Sequence, residues 1–288
     1  INNEKYYFTI YNRDIAEIDT IFKLNREMIA RNSLVHEIIL NKKNEPLTLV
    51  DGVYYILLRV YVNDTKIISI DDILFMLNSN DSIMDNNIIG RTDWVKLWSL
   101  KIDYFEYQIG HLIKKYPYIY KTIDYYLGLA ENAISYVKDI KTHASLISIC
   151  HRRIGVTSTL FDLYNPFNLV IDYKVRDIAE YIKSVFFYGE NSCVECVVNS
   201  ENMIVDKCNI ILERIFKKYI FDNEALKLLF ARLLFPSYYF DLYENVIDNS
   251  LNENVISCII KKSSAYEEFL KNILLKTPIP YVEWLASK

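Results

Sequence analysis

The spacing of hydrophobic residues changes along the chain, and each change marks a predicted element. Residues 5–11 are β-branched and aromatic, which predicts a strand, whereas after Asp14 apolar residues recur every three or four positions, which predicts an amphipathic helix. The segments 34–40, 47–50 and 53–62 predict three more strands. The N-terminal part is therefore expected to be a strand, a helix and a β-meander.

The last two of these strands are separated by only Asp51 and Gly52. A type I′ turn needs positive φ at both central positions, and an Asp-Gly pair is among the commonest solutions. The pair therefore predicts a tight hairpin.

After residue 62 the helical period dominates. Apolar faces at three- and four-residue spacing predict helices at about 94–112, 123–137, 174–187, 203–219, 223–235 and 255–274, with short apolar runs at 145–150 and 167–173. We therefore expect a small β-rich N-terminal lobe over residues 1–62 and a larger, mainly helical lobe over 63–288.

The composition supports a folded globular protein. Of the 288 residues, 51% are hydrophobic and 24% are charged, which excludes a disordered chain. A net charge of -4 argues against binding of nucleic acid, and no apolar run has membrane-spanning length. The 5 cysteines fit a reducing compartment, so a cytoplasmic protein is expected, and the initial Ile1 suggests that residues are missing upstream.

The chain has only 6 glycines, and they are widely spaced. Loops that cradle phosphates need several glycines close together, because the backbone must approach the phosphate oxygens. A Walker loop, a dinucleotide fingerprint and a kinase glycine loop are therefore absent from these residues.

Asp172 ends an apolar strand shortly before a predicted helix. A carboxylate held there could bind Mg²⁺, which prefers one or two carboxylates together with phosphate oxygens. Asp172 could instead cap the helix that begins near Lys174, and the spacing alone favours the cap.

Asp177 lies in the first turn of the same helix, where the helix dipole favours a carboxylate. If it is buried, it could instead brace the loop at His151 by accepting backbone N–H groups. The nearby arginines either bind an anion or pair with carboxylates, and pairing is slightly favoured. These arginines are Arg152, Arg153 and Arg176, and the carboxylates are Asp172, Asp177 and Glu180.

Cys193 and Cys196 have the spacing of a zinc half-site or a redox pair. Four ligands are needed for structural zinc, and no second pair stands at suitable spacing, so ordinary thiols are the favoured interpretation. Aromatic runs such as 236–240 favour anchoring to the core over stacking on bases.

Four segments resemble a known family. They are Cys-His-Arg-Arg at 150–153, Tyr-Asn-Pro-Phe-Asn-Leu-Val-Ile-Asp at 164–172, Arg-Asp-Ile-Ala-Glu-Tyr at 176–181 and the run at 231–241. The chain resembles the bacterial spore-coat kinase-like proteins, relatives of the aminoglycoside phosphotransferase branch of the protein-kinase-like superfamily. The resemblance implies an α+β, protein-kinase-like two-lobe fold.

In that family pattern a catalytic Asp follows the loop His by two residues, and a metal-binding Asn follows five residues later. Here His151 holds the His position, Arg153 stands at the Asp position, and the Asn position falls near Ser158. The resemblance implies that Asp172 is the second metal-binding Asp and that Asp177 steadies the loop.

The nucleotide-binding part of the pattern is also incomplete. The family's lysine would lie at residues 9–11, where none occurs, although Glu17 or Glu27 could stand for its partner on the helix. The glycine loop would precede Lys5 and is either degenerate or outside these residues.

Arg153 is permanently protonated at a position where phosphoryl transfer needs a hydrogen-bond acceptor. The resemblance therefore implies a pseudokinase with a structural or interaction role in the spore coat and the mother-cell cytoplasm, with coat or assembly proteins as partners and no cofactor. The alternative is an ATP- or GTP-dependent phosphotransferase that acts on a small hydroxyl or amine substrate and binds Mg²⁺ through Asp172.

Overall fold

The computed structural model describes residues 4–60, 65–79, 89–112, 115–189 and 200–276. Within these residues the strands are β1 (Lys5–Ile10), β2 (Glu37–Ile39), β3 (Thr48–Val50), β4 (Val53–Val60), β5 (Ile147–His151) and β6 (Leu169–Tyr173). The helices are α1 (Ile18–Ala30), α2 (Ile70–Ser79), α3 (Trp94–Leu112), α4 (Pro117–Lys138), α5 (Leu160–Leu163), α6 (Val175–Tyr188), α7 (Ser200–Lys218), α8 (Asn223–Leu234), α9 (Ser237–Ile247) and α10 (Val255–Lys276). The protein is therefore α+β, as predicted.

The chain forms two compact units. The first contains residues 1–92 and 144–177, and the second contains 93–143 and 178–288. The predicted lobe boundary after residue 62 stays a prediction, since these units are defined by packing alone.

The first unit is built on an antiparallel sheet around β4. This strand pairs with β1 and β2 along its two edges and with β3 through the hairpin. Helix α1 is tied to β2 by the buried Asn25, whose side chain donates to the carbonyl of His36 at 2.8 Å and accepts from the N–H of Ile38 at 3.0 Å. These two bonds fix β2 beside the helix and satisfy backbone groups that would otherwise be buried without partners.

The turn between β3 and β4 has the predicted conformation. Asp51 has φ of 50° and Gly52 has φ of 81°, so both central positions are left-handed. The Asp-Gly prediction is confirmed.

A second antiparallel hairpin, β5–β6, completes the first unit. Its register runs from Ile147 opposite Tyr173 to His151 opposite Leu169. The β5–β6 connection, residues 152–168, contains α5 and a 3₁₀ turn at Pro166–Asn168, which Asn165 caps by accepting from the N–H of Phe167 at 3.0 Å. The hairpin therefore presents a structured loop at the end of β5.

The second unit is helical, with a core rich in aromatic rings. Trp98 stacks on Phe235 with centroids 4.3 Å apart, and Phe187 stacks on Tyr238 at 3.7 Å. The buried hydroxyl of Tyr266 donates to the carbonyl of Leu233 at 2.8 Å, because a buried polar tip needs a partner. The many tyrosines of the sequence thus contribute to this core.

Lys183 is also buried in the second unit. Its Nζ donates to the carbonyl of Arg232 at 2.9 Å and lies 2.8 Å from Glu180. Burial lowers the pKa of Lys183 to about 8, against the opposing charge of Glu180.

In the described part of the chain, no helix is long and apolar enough to cross a membrane.

Candidate functional site

A buried ion pair lies beneath the start of the β5–β6 connection. The carboxylate of Asp177 accepts from the backbone N–H of His151 at 3.0 Å and lies 2.6 Å from Nδ1 of the same residue. Nε2 of His151 lies 2.7 Å from the carbonyl of Leu163 and donates to it. Asp177 therefore contacts both the backbone and the ring of His151, while its role in bracing the loop stays a prediction.

Both ring nitrogens of His151 face acceptors, which favours the doubly protonated imidazolium. Burial lowers the pKa of His151, but the charge of Asp177 and hydrogen bonds to Asp177 and Leu163 outweigh it, so the pKa is raised above 6.5. The two side chains are each 1% exposed. They form an ion pair that is closed to solvent at the end of β5.

Asp172 belongs to a second buried ion pair. Its Oδ2 lies 3.0 Å from Nη1 of Arg176, and its Oδ1 accepts from the N–H of Tyr173 at 2.8 Å. The same guanidinium donates to the carbonyls of His151 at 2.8 Å and of Arg152 at 2.9 Å. Arg176 thus joins the end of β6 to the end of β5.

A magnesium ion does not fit the side chains as they stand at Asp172. Both carboxylate oxygens already accept hydrogen bonds, one of them from a cationic guanidinium, and the side chain is 0% exposed. Among the described residues, no group of three or more His, Cys, Asp or Glu side chains could hold a metal ion. The assignment of Asp172 as a metal ligand stays a prediction.

Arg153 lies on the exposed part of the loop, and Asn168 fixes its backbone. Asn168 accepts from the N–H of Arg153 at 3.1 Å and donates to its carbonyl at 2.8 Å. The N–H of Arg152 donates to the carbonyl of Asn168 at 2.7 Å. Hydrogen bonds with Asn168 therefore hold the backbone of both arginines, while their side chains extend from the loop.

The two arginines line an open polar pocket of about 420 Å³ in the first unit. Other lining residues are Asn12, Ser158, Asp162 and Asn165. Arg13 is close enough to Arg152 to affect its charge; it donates to the carbonyls of Phe167 and Leu169 and pairs with Glu17 at 2.5 Å.

The three candidate arginines differ in whether they form an ion pair. Arg176 pairs with Asp172 as expected, whereas Arg152 and Arg153 form no ion pair within the described residues. Glu180 pairs instead with Arg232 of the second unit at 2.7 Å.

The remaining candidates lie apart from the loop or outside the description. Glu17 forms an ion pair with Arg13, Glu27 lies on α1, and Tyr11 is buried directly after β1. Cys193 and Cys196 lie outside the described residues.

Sequence reasoning gave no role to three residues of this site. Asn12 and Asp162 line the pocket, and Asn168 clamps the backbone of Arg153. An Asn-Pro pair at 165–166 marks the 3₁₀ turn that carries Asn168, so the turn could be found from the sequence. The contacts of Asn168 with Arg153 could not.

Several solved structures share this fold. An aminoglycoside phosphotransferase from Alicyclobacillus acidocaldarius has a TM-score of 0.64 and 9% identity, covering 96% of this chain and 87% of that protein. The spectinomycin phosphotransferase APH(9)-Ia has a TM-score of 0.58 and 10% identity, covering 94% and 86%. The amicoumacin kinase hAmiN has a TM-score of 0.54 and 14% identity, covering 98% and 85%.

These similarities define the class of protein: the chain has the protein-kinase-like fold of the aminoglycoside phosphotransferases. Within that class, the chain belongs to the family described as "Spore coat putative kinase YutH", whose pattern matches residues 1–273.

The endospore coat-associated protein YutH of Bacillus subtilis strain 168 is a relative with 26% identity over 219 residues. The matched part is 67% of this chain and 61% of that protein, so the chain spans less than two thirds of its relative.

Proposed function

We propose that the protein is a pseudokinase, a catalytically inactive kinase-like protein with a structural or interaction role at the endospore coat. The observation that carries the proposal is the ion pair between Asp172 and Arg176, which occupies the carboxylate that a metal would need. The coat location is supported by the family and by the name of the Bacillus subtilis relative.

Physical chemistry supports the loss of activity at two positions. Phosphoryl transfer relies on an acceptor that orients the attacking hydroxyl and on metal ions that neutralise the developing charge. Arg153 offers donors only, and both carboxylate oxygens of the buried Asp172 already accept hydrogen bonds, one of them from the cationic Arg176. Each loss in a cooperative site commonly costs on the order of several kcal/mol of transition-state stabilisation.

The test measures phosphate release and melting temperature with ATP or GTP, each in the presence of Mg²⁺ and again with EDTA. We expect no release above that of the protein-free reaction and no stabilisation that depends on Mg²⁺, since a ligand of the native state would raise the melting temperature. An Asp172→Asn variant is the matched control, because it keeps the shape of the side chain.

Release of phosphate that disappears in Asp172→Asn would overturn the proposal and support a phosphotransferase acting on a small hydroxyl or amine. Mg²⁺-dependent stabilisation without release would identify a nucleotide-binding regulator instead.

The coat location is tested separately by fusing the protein to a fluorescent reporter in sporulating cells. The fusion is expected to collect at the forespore surface, with the reporter alone as the control. A fusion that stays evenly distributed throughout sporulation would contradict the location.

A further inference from the structure

Two adjacent guanidinium groups in the first unit have no anionic partner. Within the described residues, neither Arg152 nor Arg153 forms an ion pair or a side-chain hydrogen bond. Other arginines do form ion pairs, namely Arg13, Arg26, Arg59, Arg176 and Arg232. Two unpaired guanidinium groups thus line the same pocket.

Several positive charges lie close to Arg152, although Arg152 and Arg153 are both exposed to solvent. Burial lowers the pKa of Arg152, and the neighbouring charges of Arg13 and Arg153 lower it further, against an opposing contribution from Glu17. Arg13 cannot turn away, because its guanidinium is held by two carbonyls and by Glu17. An anion in the pocket would relieve the repulsion.

Neutral side chains of the pocket add hydrogen-bond donors. Ser158 Oγ accepts from the N–H of Gly155 at 3.1 Å, which leaves its own O–H to donate. Asn165 uses its carbonyl oxygen for the N–H of Phe167, so its NH₂ group has no partner within the described residues. Both side chains line the pocket beside the arginines.

Asp162 is the one carboxylate among the lining residues, and part of its capacity is used locally. Its Oδ2 accepts from the N–H and the hydroxyl of Thr159, at 2.8 Å and 3.0 Å, in the capping box of α5. The charges of the lining residues therefore remain positive, with two arginines against one aspartate.

From this arrangement we infer that the pocket binds the phosphate group of a small phosphate monoester. Two guanidinium forks with a hydroxyl and an amide offer more donors than a carboxylate can accept, whereas a phosphate monoester presents three acceptor oxygens and up to two charges. The pocket volume of about 420 Å³ leaves room for an organic group attached to the phosphate. This inference rests on the proposed function, because the loop that has lost its catalytic aspartate becomes the binding site.

The test is calorimetric titration of the whole chain with inorganic phosphate and with glycerol 3-phosphate, in EDTA and at constant ionic strength. Acetate at the same concentration is the control for the anion class. Arg153→Gln and Arg152→Gln remove one guanidinium each, and Arg26→Gln is the matched control, since Arg26 is an exposed arginine of the same unit outside the pocket.

We expect both phosphates to bind the unmodified protein, with glycerol 3-phosphate at least as tight as inorganic phosphate. Each pocket variant is expected to bind about tenfold more weakly, because a charge-assisted hydrogen bond is lost, whereas Arg26→Gln retains full affinity. Far-UV circular dichroism of the variants separates loss of binding from loss of folding.

Absence of phosphate binding, equal binding by Arg153→Gln, equal binding of acetate, or exclusion of glycerol 3-phosphate would each overturn the inference. EDTA removes the metal that phosphoryl transfer requires, so a failure here leaves the test of catalytic inactivity unaffected. Conversely, Mg²⁺-dependent phosphate release would overturn the proposal that the protein is inactive. The titration in EDTA would still decide separately whether the pocket binds phosphate.

Discussion

A single carboxylate contacts the end of β5 at two points. Asp177 binds both the backbone N–H and the ring of His151, and all of these atoms are shielded from water. Removal of one partner of such a pair leaves a buried charge and a buried donor without compensation, which costs more than the pair contributes when intact.

The first prediction compares Asp177→Ala with Arg153→Ala. Loss of Asp177 is expected to lower the free energy of unfolding by about 3–5 kcal/mol, because it uncouples a buried ion pair. Loss of the exposed Arg153 is expected to change it by about 0.5 kcal/mol or less. Urea unfolding measures both values, and equal midpoints for the two variants would show that Asp177 does not brace the loop.

A second prediction concerns the pH dependence of His151. Its folded pKa is raised above 6.5, so its contribution to stability is fully present below that pH and is lost as the pH rises through the folded value. The free energy by which the unmodified protein exceeds a His151→Gln variant should therefore shrink as the pH is raised. Urea titrations of both proteins across this range measure the difference.

Lys183 changes the free energy of unfolding with pH in the opposite direction. Its pKa is lowered to about 8, so the unfolded state binds more protons above that pH and its contribution to stability increases. This effect is common to both proteins and cancels in their difference. A difference that stays constant with pH would argue against a charged His151.

At the scale of elements, glycines in two places should respond oppositely to alanine. Gly52 has φ of 81° in the β3–β4 turn, and a Cβ there would meet no atom within 4 Å, so only backbone strain opposes it. Gly128 lies within α4 and has equally open space. The two positions therefore separate backbone conformation from packing.

The third prediction is that Gly52→Ala destabilises the protein by roughly 1–2 kcal/mol, since left-handed backbone disfavours a Cβ. Gly128→Ala should stabilise it by roughly 0.5–1 kcal/mol, because alanine is the better helix former. Thermal unfolding of both variants provides the comparison. Destabilisation by Gly128→Ala would mean that the helix at that position depends on something other than backbone propensity.

The success of sequence reasoning at this scale followed how local the determining interaction is. The turn at Asp51 and Gly52 was predictable because its conformation depends on two residues. Helix α9 was not predicted from periodicity, because its Tyr238, Tyr239 and Phe240 are weak helix formers and their burial in the second unit overrides propensity. Helix α2 is not among the predicted elements, although its apolar residues at positions 70, 73, 74 and 77 follow a helical spacing.

At the scale of the whole molecule, each compact unit has its own core. Asp177 is the last residue of the first unit, and its partner His151 belongs to that unit as well. The second unit is packed around separate aromatic stacks, such as Trp98 on Phe235. Loss of the Asp177 carboxylate should therefore destabilise the first unit more than the second.

The fourth prediction is that Asp177→Ala increases amide hydrogen exchange in β5 and β6 much more than in α8 and α10. Local opening follows the contacts that hold a segment, and the lost bonds hold the end of β5. Exchange followed by mass spectrometry on peptides from both units provides the measurement. A uniform increase throughout the chain would show that the two units open together.

The pocket illustrates what the sequence could not provide. Asn12 and the β5–β6 connection are separated by about 140 positions, and no periodicity relates such distant residues. The pairing of Asp172 with Arg176 could be considered from the sequence, because the two are four residues apart, but the sequence left Asp177 and Glu180 open as other partners. The fold and its family could therefore be predicted from motifs. The sequence could not show that Arg176 is buried in an ion pair whereas Arg152 and Arg153 line a pocket.

The ion pair of Asp172 with Arg176 also limits how the protein could be re-engineered. Replacing Arg153 by aspartate would place a carboxylate on the loop, yet Asp172 would remain bound to Arg176. Replacing Arg176 as well would release Asp172, but it would also remove the donors that hold the carbonyls of His151 and Arg152. Freeing Asp172 for a metal ion would thus first destabilise the junction of β5 and β6, so the ion pair opposes conversion of this loop into a metal site.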